Sequence, residues 1–298
     1  MTFRSDASYD SNRARSGGGR GRGTAIGVGG GLGGLVLVGL FLLLGGNPAQ
    51  LGNLLGTGQG QQEQLPLGDS DTLAHCQTIE DANTYTDCRI EATATSLDQV
   101  WVDVLPAQAG LEYSVPGIEI FQGQTTTGCG AASAATGPFY CPADESAYLD
   151  VSFFDQMEQF GAENAPLAQM YIVAHEFGHH IQNLEGTLGL SNYNDPGPTS
   201  AAVALELQAD CYGGVWAHYA DEGEDAMLEP ITQEQLASAI ETARAVGDDN
   251  IQQRSGGEVN PDQWTHGSSQ QRQDAFMAGY ETGQMGSCDT LDRGVYTS

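Results

Sequence analysis

Lysine is absent from this chain of 298 residues, and five arginines (Arg4, Arg13, Arg15, Arg20 and Arg22) fall within the first 23. The rest of the chain sets the other five arginines against nearly all of its 39 acids, giving a formal charge of −29. A body this acidic repels phosphates, which argues against nucleic acid as a partner and against docking to an anionic lipid surface. The same charge favours solubility. A C-x2-C pair is also missing, so the six cysteines lack the spacing of a zinc ribbon or finger. No internal repeat is visible. Charge is missing altogether between Thr24 and Leu44, TAIGVGGGLGGLVLVGLFLLL.

Twenty-one such residues, seven of them glycine, are enough to cross the ~30 Å hydrocarbon core as a helix. The basic flank precedes them, so the positive-inside rule expects a cytoplasmic N-terminus and everything after Leu44 outside. A cleaved signal peptide is the competing reading, with Asn47-Pro48-Ala49 as a weak cleavage site. The long polar start and the length of the apolar run favour an uncleaved anchor. The expected organisation is a basic cytoplasmic tail (1–23), a single-pass transmembrane anchor (24–44), a Gly- and Gln-rich linker (45–68) and an extracytoplasmic domain (69–298).

All six cysteines follow the span, as expected in an oxidising compartment. Six allow fifteen connectivities, and sequence alone does not choose among them. Local spacing favours Cys76–Cys88 and Cys129–Cys141, which leaves Cys211 with Cys288.

Within the domain, residues 69–105 read as largely helical, with Pro106 ending the run, and 111–121 as extended. Gly128–Pro142 suits a loop or hairpin pinned by a disulfide, and Tyr148–Phe154 alternates as a strand. A helix starts at an Asn164 cap with Pro166 in its first turn and runs to about Gly186. A second spans Thr199 or Ser200 to Tyr219. Thr232 with Gln235, and Ser268 with Gln271, form capping boxes for two more, separated by an irregular stretch with at most a turn near Ile251. Mostly helical, with a small and separate sheet, the class is α+β.

The chemistry lies on the first two of these helices. His175-Glu176-Phe177-Gly178-His179 places two imidazoles one turn apart on one face, the H-E-x-x-H pattern of a metalloprotease with zinc as the expected ion. A catalytic zinc takes three protein ligands and leaves a fourth position to water. Glu206 supplies the third ligand from the next helix, in an apolar stretch where an unpaired charge is costly. Asp210, four residues on, is placed to accept the free N–H of a ligating imidazole, His175 being the expected one. Glu176 is the expected general base. His266, in Trp264-Thr265-His266-Gly267-Ser268, is the candidate to stabilise an oxyanion, with Tyr140 and Tyr193 as alternatives. His180 points about 100° away from the ligand face and reads as structural, and His75 and His218 have no assigned role.

HEFGHH, then ELQADC and THGSSQQR, with GCG…GPFYCP upstream, together resemble the bacterial putative neutral zinc metallopeptidase family over roughly residues 69–298. Placing that family among the gluzincins implies a mainly helical, zincin-like domain. It also implies His175, His179 and Glu206 as zinc ligands, Glu176 as the catalytic base and His266 within the family's THG segment. The expected activity is zinc-dependent peptide-bond hydrolysis on a peptide or protein substrate by a membrane-anchored enzyme. A non-catalytic, zinc-stabilised extracytoplasmic binding module is the alternative, and hydrolysis of another amide, such as a cell-wall crosslink, is a third.

Overall fold

In the computed structural model, the structure describes residues 2–17, 73–133, 136–157, 161–162, 164–224, 226–254 and 258–297. The expected anchor at 24–44 and linker at 45–68 lie outside the described residues. Among the described residues, no helix is long and apolar enough to cross a membrane.

The elements in chain order are β1 (Arg15–Ser16), α1 (Ile79–Thr84), α2 (Thr86–Ala109), β2 (Gly117–Phe121), β3 (Gln124–Thr127), β4 (Gly130–Ser133), β5 (Phe139–Cys141), β6 (Ser146–Asp150), α3 (Val151–Phe154), α4 (Pro166–Leu184), α5 (Ala201–Ala220), α6 (Gln233–Ala245), α7 (Asp248–Arg254) and α8 (Ser269–Thr282). The four-stranded sheet has the order β1-β2-β6-β5; β1, β2 and β6 run parallel and β5 antiparallel to β6. A β3–β4 hairpin stands apart. The domain is mainly helical with a small sheet, an α+β arrangement.

α4 lies at the centre, buried over most of its length and packed against α2, α5 and α6. A helix that is buried nearly all round needs cover on every side, and the neighbouring helices supply it. Trp101 of α2 meets Tyr212 of α5 edge-on at 5.4 Å, and Trp216 Nε1 donates to Ser96 Oγ at 3.1 Å. Glycines let the helices close up. A Cβ on Gly214 would sit 2.0 Å from Phe276 O, and one on Gly279 2.0 Å from Cys211 O, so α5 and α8 meet backbone to backbone.

The described residues contain the disulfides Cys76–Cys88, Cys129–Cys141 and Cys211–Cys288. The last closes a separation of 77 residues and ties α5 to the turn after α8. By chain entropy that loop contributes about 4.5 kcal/mol, against about 2.8 for each short one.

Several local expectations change. Pro106 lies inside α2, which continues to Ala109 and is capped by Gly110 donating to Pro106 O. A proline near a helix end forfeits one hydrogen bond without stopping the last turn. Tyr148–Phe154 splits into the end of β6 and the short α3, because the Asp150 side chain caps Ser152 N and turns the chain into a helix. Ala165, not Asn164, is the N-cap of α4; Asn164 instead accepts from Gln169 Nε2 at 2.5 Å. Residues 248–254 form a full short helix where at most a turn was expected.

The larger difference is at the N-terminus. Residues 2–17, expected as a tail apart from the domain, pack onto it. Phe3 is fully buried in the main core, and β1 extends the sheet alongside β2. Burying one phenylalanine contributes about 1.5–3 kcal/mol.

Candidate metal centre

Ser200 caps α5 through Val203 N, and the helix then crosses α4 where Gly178 faces Ala209. A Cβ on Gly178 would lie 2.8 Å from both Cα and O of Ala209. This contact brings Glu206 opposite the two imidazoles. His175 Nε2 lies 3.2 Å from Glu206 Oε2, and His179 Nε2 lies 3.7 Å from Glu206 Oε1. One ligand atom from each of the three residues can be chosen so that all lie within 4.8 Å of one another. A tetrahedral zinc with bonds near 2.0–2.1 Å holds its donors about 3.3 Å apart, so two nitrogens and a carboxylate at these separations fit that ion. The side chains are nearly buried, at 10%, 13% and 6% exposure for His175, His179 and Glu206.

Each imidazole is oriented by its other nitrogen. His175 Nδ1 donates to Asp210 Oδ1 at 2.8 Å, and His179 Nδ1 donates to Gln182 Oε1 at 2.9 Å, so both Nε2 atoms face the carboxylate. Gln182 is itself fixed, donating to Leu205 O at 2.6 Å and Gln208 Oε1 at 3.1 Å. Asp210 receives a two-point grip from Arg272, Nε to Oδ2 at 2.7 Å and Nη2 to Oδ1 at 2.8 Å, and accepts the Tyr171 hydroxyl. Burial opposes its charge, but Arg272 and His175 hold the carboxyl down at about 2.

The remaining charges follow the same balance. Burial disfavours protonated His175, yet Asp210 and Glu206 carry its pKa up to about 10 in the metal-free protein. Burial also works against ionised Glu206, but His179 and His175, with His266 adding to them, hold it well below the ordinary carboxylate range. Burial pushes Glu176 up, with the histidines opposing and Glu206 assisting.

His266 stands in the loop before α8, where its charge acts on Glu206. Asp248 Oδ2 accepts three successive backbone N–H groups, from Thr265, His266 and Gly267 at 2.7, 2.7 and 3.0 Å, and its Oδ1 lies 3.3 Å from His266 Nδ1. Gly267 has φ +88° and abuts Val203 and Leu207 of α5, where a side chain would be strained. Burial lowers the His266 pKa, but the Asp248 hydrogen bond and the charge of Glu206 together raise it.

Of the two tyrosines, Tyr193 donates to Glu206 Oε1 at 3.4 Å and so lies at the site. Tyr140 is engaged elsewhere. His180 Nε2 donates to Ser114 O at 2.6 Å, so its Nδ1 accepts the Tyr140 hydroxyl proton at 3.0 Å, and Asn183 donates to the same oxygen. Both nitrogens of His180 are thereby used in structure. His218 bonds Tyr280 O. His75 lies beside Asp87 and the Cys76–Cys88 pair, a second cluster of metal-ligand types whose sulfurs are bonded to each other.

Gln182, Tyr171 and Asp248, and Arg272 at the end of THGSSQQR, had no role assigned from the sequence. Gln182 stands three residues after His179, on the ligand face, and that spacing was a usable signal. Asp248 gave none, lying 18 residues before His266 in a stretch read as irregular.

A profile described as "Putative neutral zinc metallopeptidase" matches residues 2–291. The chain belongs to that family. The chain is similar to the uncharacterized protein Rv2575 of Mycobacterium tuberculosis (strain ATCC 25618 / H37Rv), 45% identical over 244 residues, covering 78% of this chain and 82% of that one. The uncharacterized protein YpfJ of Escherichia coli (strain K12) is 34% identical over 297 residues, 98% of each chain. No solved structure matches. The family's description implies zinc, and the His175, His179 and Glu206 donor set suits it.

Proposed function

We propose that this family member is a zincin-like peptidase that hydrolyses peptide bonds with a zinc-activated water and Glu176 as general base. The observation that carries the reading is the convergence of His175, His179 and Glu206 beside a buried Glu176 whose pKa is raised. When bound, zinc supplies Lewis acidity toward a carbonyl and lowers the pKa of a water to about 7.

Glu176 is the proton carrier. A carboxylate whose pKa is raised by burial takes a proton from the attacking water more readily than an ordinary glutamate, and the same carboxyl then delivers it to the leaving amine. His266, protonated over a wider range through Asp248 and Glu206, and Tyr193, with its hydroxyl at Glu206, are the donors for the carbonyl oxygen as it gains charge. Asp210 and Gln182 keep the ligand imidazoles in one tautomer throughout.

The test is zinc content measured beside cleavage of a peptide library for the parent and Glu176→Gln. The reading expects about one zinc per chain in both, with cleavage lost by at least about 10²-fold in the variant. Zinc retained in a parent that cleaves no peptide would support the binding-module alternative. The third reading, another amide substrate, is tested by the same pair of proteins on purified cell-wall fragments.

A further inference from the structure

The N-terminal segment makes contacts that constrain where it can be relative to the domain. The Asn83 side chain receives the N–H groups of Thr2 and Phe3 at 3.1 and 3.0 Å and returns a bond to Phe3 O at 3.1 Å. Arg4 N donates to Met227 O at 2.8 Å, and Glu229 N to Thr2 O at 2.9 Å, closing a bridge on both sides of the buried Phe3 ring. Farther along, Arg13 grips Asp98 with Nε and Nη2 at 2.5 and 3.2 Å, and Ala14 N donates to Glu91 Oε1 at 3.0 Å. Arg15 and Ser16 then pair in parallel with Glu119 and Ile120 of β2.

These are not the contacts of a loosely held arm. Glu91 is wholly buried, and burial pushes its pKa up to about 7, so the backbone donor from the segment answers a real need for a partner. Arg13 also stands over the ring of Phe177, 5.9 Å from its centroid, on the helix that carries His175 and His179. Two of the five N-terminal arginines are paired with acids, Arg4 with Asp6 and Arg13 with Asp98.

A chain that crosses a membrane once between residues 17 and 73 has these two parts on opposite faces of the bilayer. The contacts cannot then form, either within one chain or between identically oriented copies. We infer that residues 2–17 and the metal-centre domain occupy the same side of the membrane.

Two measurements on the full chain test this. The chain has no lysine, so Arg13→Lys creates its only side-chain amine, opposite Asp98. Treating the native cell fraction with a carbodiimide is expected to yield a 13–98 isopeptide crosslink, read by peptide mass spectrometry. Its absence from chains with native disulfides would overturn the docking. Separately, Ser8→Cys and Val102→Cys are each placed at exposed positions, Val102 being 52% exposed. A membrane-impermeant maleimide applied to intact and to lysed cells is expected to label both alike, beyond any labelling of the parent. Labelling of one in intact cells and of the other only after lysis would overturn the inference.

Discussion

Replacing Asp210 by Asn separates what that residue does for the metal from what it does for the fold. Four donors converge on its two oxygens: Tyr171 Oη and His175 Nδ1 on Oδ1, with Arg272 Nη2 also on Oδ1 and Arg272 Nε on Oδ2. An amide keeps one acceptor oxygen and turns an NH2 group toward the rest. Arg272 is then a buried cation without its counter-charge, and His175 loses the anion that fixes its tautomer. Leaving one member of a buried pair alone costs about 3–5 kcal/mol, which should lower the denaturation midpoint of the metal-free protein. Loss of a ligand's carboxylate partner weakens metal binding about 10–100-fold, or about 1.4–2.8 kcal/mol. Competition with a chromogenic chelator reads the second effect and denaturant unfolding the first. In the double variant D210N/R272M no unpaired cation remains, so part of the metal-free stability returns while zinc affinity stays low. If D210N bound zinc as tightly as the parent, the assignment of Asp210 as the orienting partner of His175 would be refuted.

Other expectations follow from the same geometry. Gly178→Ala forces α4 away from Ala209 and should destabilise the fold by about 1–3 kcal/mol while weakening zinc binding, which paired unfolding and chelator titrations would register. His266→Ala should lower kcat by about 10²–10³-fold with little change in zinc content, whereas a parallel loss of zinc would make His266 a ligand instead. The metal-free His175 pKa of about 10 means that zinc uptake near pH 7 must displace a proton from it. Calorimetry in buffers of different ionisation enthalpy should therefore report at least about one proton released, with affinity rising as pH increases. For metal-free stability the sign is opposite: the His175 contribution is present below about pH 6.5 and is lost as pH rises through about 10. An unfolding series from pH 6 to 10 in chelator reads it.

The helix pair and its chemistry could be read because their signals are local. His175 and His179 are one turn apart, Glu206 and Asp210 are one turn apart, and Ser200, Thr232 and Ser268 announce their helices by side-chain caps that the structure contains. What joins the two helices is not local. Gly178 occupies an x position of the H-E-x-x-H pattern, and the crossing with Ala209 is what gives it a reason. Arg272, 62 residues from Asp210, has no spacing rule that would connect them.

The sequence by itself determined the residue types and turn-by-turn register of a candidate zinc centre, because helical periodicity is a property of neighbours along the chain. The tertiary structure alone decided which buried partners fix each imidazole, that Asp248 holds the His266 loop, and that Tyr140 belongs to His180. It also decided that the basic start of the chain is a strand and a core residue of the domain. Charge and hydropathy describe what a segment tolerates, whereas the partners that hold Phe3 and Arg13, Asn83, Leu228 and Asp98, lie far along the chain from them.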